Sequence, residues 1–397
     1  MLVYEFNMMQ TLTLAAIVLL VGRAIKHRVP FFEKFFIPSP VIGGVLYSII
    51  TLIGHSSGSF EFTYDGQLKT LFMVAFFTTI GFAASFKLLK KGGIQVGIFL
   101  GVATTLVILQ NVVGVSLAKA FHLNPLLGLA VGSVPLTGGH GTAGAFGPVL
   151  EAAGAQGAMA VSIASATFGL IAGCVIGGPI GKRLMARHGL TSISDDGAQN
   201  FEGVAKPEEE KITEGTLMNT VYLITLCMGL GTVISMIIKK AGIVLPIYIG
   251  PMIVAAVVRN LADGKSISLH HKTIDTIGNI SLSLFLAMAL MTMRLWDLAA
   301  LAVPLIVMLL AQTALMAAFA YFVTYKIMGR DYDAAVISCG HCGFGMGATP
   351  NAMANMESFT ASNFPSPRAF FVLPLVGALF IDFTNASIIT FFINIFS

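Results

Sequence analysis

Charge is scarce in this chain: Asp, Glu, Lys and Arg make up 11% of its 397 residues, against roughly 25% in soluble domains. A water-soluble fold needs a charged shell, so this scarcity excludes one. With hydrophobic residues at 56%, it leaves a polytopic membrane protein. Cysteine is also sparse. The four cysteines, Cys174, Cys227, Cys339 and Cys342, all fall in apolar segments and offer no disulfide framework. The opening residues, Met1 to Glu5, lack the basic stretch of a signal peptide and no small-residue cleavage site follows, so the first apolar segment is expected to remain as a helix.

Apolar runs of about 20 residues read as crossings. They place spans near Asn7–Lys26, Pro38–Ile53, Lys69–Leu89, Ile94–Phe121 and Gly157–Met185, then Gly215–Lys239, Pro246–Leu261, Thr273–Leu295, Leu298–Met328 and Ala369–Phe396. The expected fold class is an all-α polytopic membrane protein with ten transmembrane helices. Basic residues test that count, because short cytoplasmic loops hold the excess of Lys and Arg. With the N-terminus outside, only Lys69, Lys119, Lys239, Lys240 and Arg294 of the 23 Lys and Arg residues fall on the outer side. Both termini are thus expected to be periplasmic and the central loop cytoplasmic. The formal charge of +4 then reflects topology and needs no nucleic acid.

Two further apolar stretches, Pro125–Ala153 and Asp331–Glu357, are interrupted by glycine and proline. Broken backbone at membrane depth is tolerated only where protein or a water-filled cavity surrounds it. Both stretches are therefore expected to be re-entrant hairpins, the first dipping in from outside and the second from the cytoplasm. Between residues 187 and 214 the composition turns polar, with Pro207-Glu-Glu-Glu-Lys211 at its extreme. This reads as a linker dividing the chain into repeats, 1–186 and 215–397, each with five spans and one hairpin. An odd number of spans makes the second half inverted relative to the first. Pro40 and Pro246, Gly44 and Gly250, Gly139 and Gly345, and Gly141 and Gly347 recur at one spacing. Inverted repeats are a common plan of secondary transporters, with the site at their interface near mid-membrane.

The hairpins carry the chemistry. Gly132-Ser-Val-Pro-Leu-Thr-Gly-Gly-His-Gly-Thr-Ala-Gly144 and Ser338–Asn351 let backbone approach a ligand. Half-helix N-termini offer unpaired N–H groups to an anion. Hydroxyls of Ser133, Thr137, Thr142, Ser338 and Thr349 suit sodium instead, and the alternative for all these glycines is close helix packing. Asp382 stands within the last span, where an ionisable group is costly and marks an ion or substrate path. Asn385 follows one turn later. A structural salt bridge is the alternative for Asp382, and for Arg368 the alternatives are a carboxylate clamp and a cytoplasmic anchor. His140 and His341 donate to a ligand or are satisfied within their hairpins. Gln110, Asn111 and Gln312 read as interhelical hydrogen bonds. Cys339-Gly-His-Cys342 has redox-like spacing without the βαβ context that would support it.

The two motifs, Gly138-Gly-His-Gly-Thr-Ala-Gly144 and Gly340-His-Cys-Gly-Phe-Gly-Met-Gly-Ala-Thr-Pro-Asn-Ala-Met-Ala-Asn355, resemble those of the bacterial sodium/glutamate symporter family. The resemblance covers essentially the whole chain. It implies a transporter and not an enzyme, with sodium-driven uptake of L-glutamate across the inner membrane, an elevator-like movement and a homodimer. It implies no cofactor beyond sodium as coupling ion. The first loop carries the family's GGxG pattern as Gly138, Gly139 and Gly141; the second has Cys342-Gly-Phe-Gly345 in its place. The expected substrate contacts are Ser133, Thr137, Gly139, His140, Gly141, Thr142, Ser338, Gly343, Gly345 and Arg368. The expected ion ligands are Thr349, Asn351, Asp382 and Asn385. A glycine-loop channel and another small-carboxylate transporter are the rival functions.

Overall fold

Local capping chemistry sets a few of the helix starts. Asn7 accepts from Gln10 N at 3.0 Å while its own N–H donates to Gln10 Oε1 at 3.0 Å, a reciprocal cap that starts α1 (Met8–Arg28). The computed structural model describes residues 2–91, 93–190, 211–240, 246–265, 267, 269–299 and 301–397. After α1 come α2 (Pro30–Lys34), α3 (Ser39–Ser56), α4 (Gln67–Ala83), α5 (Phe86–Lys91) and α6 (Gly93–Ala120). The first broken stretch gives α7 (Pro125–Ala130), a turn, and α8 (Gly139–Ala152). The long α9 (Ala158–His188) ends at the left-handed Gly189. Most of the expected linker, residues 191–210, lies outside the described residues.

The second half opens with α10 (Glu214–Lys240), α11 (Ile249–Gly264), α12 (His271–Met291), α13 (Trp296–Ala299) and α14 (Ala302–Phe319), which continues through a π-helical stretch, Ala320–Thr324, into α15 (Tyr325–Ile327). Asp331 caps the next helix by accepting from Ala334 N at 2.7 Å. That helix, α16 (Tyr332–Gly345), folds back through a short turn into α17 (Thr349–Ala361). Last come α18 (Pro367–Leu379) and α19 (Ile381–Phe396), bent by 45° at their junction.

Among the described residues, eight helices are long and apolar enough to cross a membrane, and nine if α18 and α19 count as one span. The run Pro246–Leu261 is seen as α11, whose 16 residues reach about 24 Å at 1.5 Å each, short of a hydrocarbon core of roughly 30 Å. The last apolar run is not one straight helix either, because it breaks immediately before Asp382. Strands also appear where none was expected: β1 (Leu2–Phe6) and β2 (Phe60–Tyr64) form a parallel ribbon, Leu2 beside Phe60 and Phe6 beside Tyr64. Stacking of Phe6 on Tyr64, with centroids 5.7 Å apart, and a 2.9 Å Tyr47–Tyr64 hydroxyl bond hold it against α3.

Two groups of helices result. In the first, α1 packs on α3, α10 on α11, and α4 lies between α11 and α12. Its crossings are close: a Cβ on Gly43 would stand 2.0 Å from the Val18 carbonyl oxygen, and one on Gly250 the same distance from that of Gly231. In the second group, α6, α9 and α14 enclose α16, α17, α18 and α19. Here α9 presents Gly169, Gly173, Gly177 and Gly181 to α16, α17 and the turn between them, the small-residue face that lets membrane helices approach. Both groups contribute to one large apolar core.

Candidate functional site

Four helices begin at one cavity of about 270 Å³. Pro38 before α3, Gly138 to Gly141 at the start of α8, Gly347 to Pro350 at the start of α17, and Ile381 and Asp382 at the start of α19 all line it. Each helix N-terminus leaves backbone N–H groups unpaired and carries about half a positive charge. The wall opposite is apolar, with Phe76, Leu170, Leu282 and Phe344. The cavity thus pairs concentrated positive potential with a low-dielectric surround, a setting for an anion.

The tips of both glycine-rich stretches meet here. Gly139 has φ 63°, a left-handed conformation natural to glycine, and a Cβ on it would lie 3.3 Å from the Gly347 carbonyl oxygen. Gln110 of α6 ties the tips together: its Nε2 donates to the Gly345 carbonyl at 2.6 Å and its Oε1 accepts from Thr137 Oγ1 at 2.8 Å. Gln312 Nε2 donates to the Gln110 carbonyl at 2.7 Å, and Asn111 Oδ1 accepts from Ser133 N at 3.0 Å. These three amides act as interhelical links, as their place in the sequence suggests.

Asp382 lines the cavity and makes no hydrogen bond or ion pair among the described residues. The salt-bridge alternative therefore has no partner in this structure. His140 also faces the cavity, and its Nε2 lies 3.0 Å from Thr167 Oγ1. That hydroxyl donates to the Ile163 carbonyl at 3.0 Å, so it accepts from the ring. The hydrogen-bond network thus assigns the proton to Nε2 and leaves Nδ1 as an acceptor.

Of the expected site residues, the cavity gathers Thr137, Gly139, His140, Gly141, Thr349 and Asp382. The others lie behind it. Ser133 and Asn385 are joined by Asn385 Nδ2 donating to the Ser133 carbonyl at 3.1 Å, and Ser133 Oγ and Asn385 Oδ1 are buried without a partner among the described residues. Asn351 donates to the Leu170 carbonyl at 3.1 Å and to Cys174 Sγ at 3.0 Å, while its Oδ1 is likewise unpartnered. Thr142 is buried within α8 against Gly138. Ser338 donates to Ala334 within α16. Gly343 and Gly345 sit at close crossings, with Asn351 backbone and with Leu106 and Met316: here the packing explanation of glycine holds.

Arg368 is placed away from the cavity. Its guanidinium meets Asp331 at 2.8 Å and Asp333 at 3.9 Å, donates to Gln95 Oε1 at 3.2 Å, and also donates to the Met328 carbonyl. Those groups engage both terminal nitrogens, while Nε is buried without a partner among the described residues, so the side chain straps the start of α16 to α18 and α6 away from the cavity. His341 accepts or donates to Thr324 Oγ1 at 2.9 Å among Phe99, Phe319 and Phe344, also off the cavity. Sequence reasoning missed Phe36 and Pro38, whose signal was the proline opening the second span, and Gly377, whose small size admits Thr349 Oγ1 to within 2.6 Å of its Cβ position. Phe76, Leu170 and Leu282 carry no signal that separates them from other apolar residues.

The family model described as sodium/glutamate symporter matches residues 4–365. The sodium/glutamate symporter of Haemophilus influenzae is 41% identical over 391 residues, 97% of each chain. That of Escherichia coli K12 is 41% identical over 398 residues, 98% of each chain. The chain belongs to the sodium/glutamate symporter family. It is accordingly a multi-pass membrane transporter and not an enzyme. In this symporter-family chain the Cys339 and Cys342 thiols are buried and engaged with the Asn355 and Ser338 carbonyls at 3.5 and 3.3 Å, contacts internal to the α16–α17 hairpin.

Proposed function

We propose that this protein carries L-glutamate into the cell together with sodium, across the bacterial inner membrane. The observation that carries this reading is the cavity itself, where four helix N-termini meet and Asp382 has no hydrogen-bond or ion-pair partner among the described residues. Glutamate brings two carboxylates and one ammonium. The N-termini of α8 and α17 suit the carboxylates, each worth roughly 0.3–1 kcal/mol and up to ~2 kcal/mol when partly buried. The His140 Nδ1 lone pair suits the ammonium. Sodium takes oxygen ligands from side chains and unwound backbone, and Asp382 with Thr349 supplies them on the cavity wall. The unpartnered oxygens of Ser133, Asn351 and Asn385 suit the same ion deeper in the protein, since an orphaned buried oxygen calls for a partner.

The architecture we assign to it has ten spans, counting α11 and the bent α18–α19, in inverted halves 1–186 and 215–397 around the 187–214 linker. The α7–α8 and α16–α17 hairpins are the re-entrant pair. Matching element order supports this plan, as does the pairing of β1 with β2, which puts the N-terminus on the same face as the α3–α4 connection, as two crossings by α1 and α3 require. The six helices α1, α3, α4, α10, α11 and α12 serve as a scaffold, and the remainder moves against them in an elevator-like cycle. Their mutual contact runs chiefly along α8 and α12, a narrow seam for such a movement. Apolar side chains exposed along α1 and α10, among them Leu20, Leu226 and Leu230, face lipid or a second copy in a homodimer.

Coupling requires that sodium and glutamate each strengthen the other's binding, because linkage is reciprocal. Purified protein should gain thermal stability from L-glutamate when sodium is present and little when choline replaces it. Equal stabilisation in both salts contradicts coupling.

A further inference from the structure

We propose that the face carrying the N-terminus holds a second ligand site, separate from the transport cavity, that takes a small amino-acid zwitterion. A cavity of about 260 Å³ opens where the end of α3, β2 and the segment after α12 meet. It nearly equals the transport cavity in volume and shares no lining residue with it.

Its wall carries one charge of each sign. Arg294 and Glu61 both line it, and neither side chain forms a hydrogen bond or an ion pair among the described residues. Two unpaired opposite charges around one space match a molecule that carries both. The hydroxyls sort in the same way. Thr51 Oγ1 donates to the Ser48 carbonyl at 2.9 Å, and Thr292 Oγ1 donates to the Ala289 carbonyl at 2.8 Å. Their protons are committed, so they present lone pairs to an ammonium, as Glu61 does. Arg294 presents only donors, in a fork that fits a carboxylate. Beside them, His55 stacks on Trp296 with centroids 3.9 Å apart and planes 9° apart, and His55 Nδ1 is buried without a partner among the described residues. This aromatic pair gives the ligand's carbon frame an apolar surface. Together these groups form a recognition set for a carboxylate, an ammonium and a short apolar body, whatever the transport cavity carries.

The chain's single tryptophan, Trp296, lines this cavity and reports on it directly. Full-length protein carrying Asp382→Asn, which removes the carboxylate we assign to sodium in the transport cavity, is titrated in sodium-free choline buffer with L-glutamate, L-alanine and glycine while Trp296 emission is followed. At least one of the three gives a saturable change. Propionate and ethylamine, with one charge each, give none over the same range. Adding Arg294→Gln or Glu61→Gln weakens the apparent affinity at least about tenfold, the effect of losing a hydrogen bond to a charged group. Should Arg294→Gln fail to fold, Arg294→Lys keeps the charge without the planar fork and binds with intermediate affinity. A flat signal with all three amino acids overturns the proposal. So does unchanged affinity in the folded Arg294 and Glu61 variants, or a signal present in the unmodified protein and lost with Asp382→Asn, which assigns it to the transport cavity. Uptake is measured separately, so failure here leaves the transport reading standing.

Discussion

At the scale of single residues, Asp382 and Arg368 show what a sequence reveals of a membrane site and what it conceals. Asp382 stood out because an ionisable group inside an apolar run is expensive, and the structure places it on the wall of the cavity. The structure sharpens this by placing it in the first turn of α19, where the helix dipole favours a negative charge. Arg368, read as either a carboxylate clamp or a cytoplasmic anchor, pairs instead with Asp331, a contact local sequence cannot show because the two are 37 residues apart and meet only after α16 and α18 pack. Removing one partner of a largely buried pair leaves the other charge uncompensated. Arg368→Ala is therefore expected to lower unfolding stability by roughly 3 kcal/mol, the low end for a buried pair, while the folded fraction keeps its glutamate affinity. A binding titration on the monodisperse variant checks this. A large loss of affinity with unchanged stability would return Arg368 to the site.

At the scale of elements, both hairpins announced themselves through glycine and proline clusters, and the structure brings their tips together at Gly139 and Gly347. The β-ribbon went unseen because each strand is five residues long and gains stability only from its distant partner. The break before Asp382 also escaped notice, since hydropathy does not distinguish a straight helix from a bent one. The glycines of α9 were visible as letters, but their meaning depends on the hairpin that packs against them. Gly169 and Gly178 separate the two situations. A Cβ at Gly169 would stand 2.1 Å from the Met346 carbonyl oxygen, whereas one at Gly178 meets nothing within 4 Å. Gly169→Ala should cost roughly 1–3 kcal/mol through backbone displacement, and Gly178→Ala should be neutral or gain up to about 1 kcal/mol. Thermal unfolding in one detergent compares them; equal midpoints would contradict the packing.

At the scale of the whole molecule, the sparse charges and long apolar runs made the multi-pass membrane class legible. The division into two groups of helices was not, because each group draws elements from both halves of the sequence. If one group slides against the other, a bond across the seam stops transport. Leu286 of α12 and Gly144 of α8 lie against each other, with the leucine Cδ2 3.0 Å from a Cβ on the glycine. Gly144→Cys together with Leu286→Cys should block uptake once cross-linked by oxidation and recover it on reduction. Uninterrupted uptake by the cross-linked protein would mean that these helices do not move apart.

The central claim, that Asp382 and the two glycine-rich tips host glutamate with its driving ion, is tested most directly by uptake of labelled L-glutamate into proteoliposomes. Sodium, lithium and proton gradients are imposed in turn on the unmodified protein and on Asp382→Asn. The account predicts accumulation driven by inward sodium, with Asp382→Asn at least about 30-fold slower, the equivalent of roughly 2 kcal/mol or more for a buried charge removed from its ion. Uptake driven equally by a proton gradient alone, or wild-type sodium dependence in folded Asp382→Asn, would contradict it.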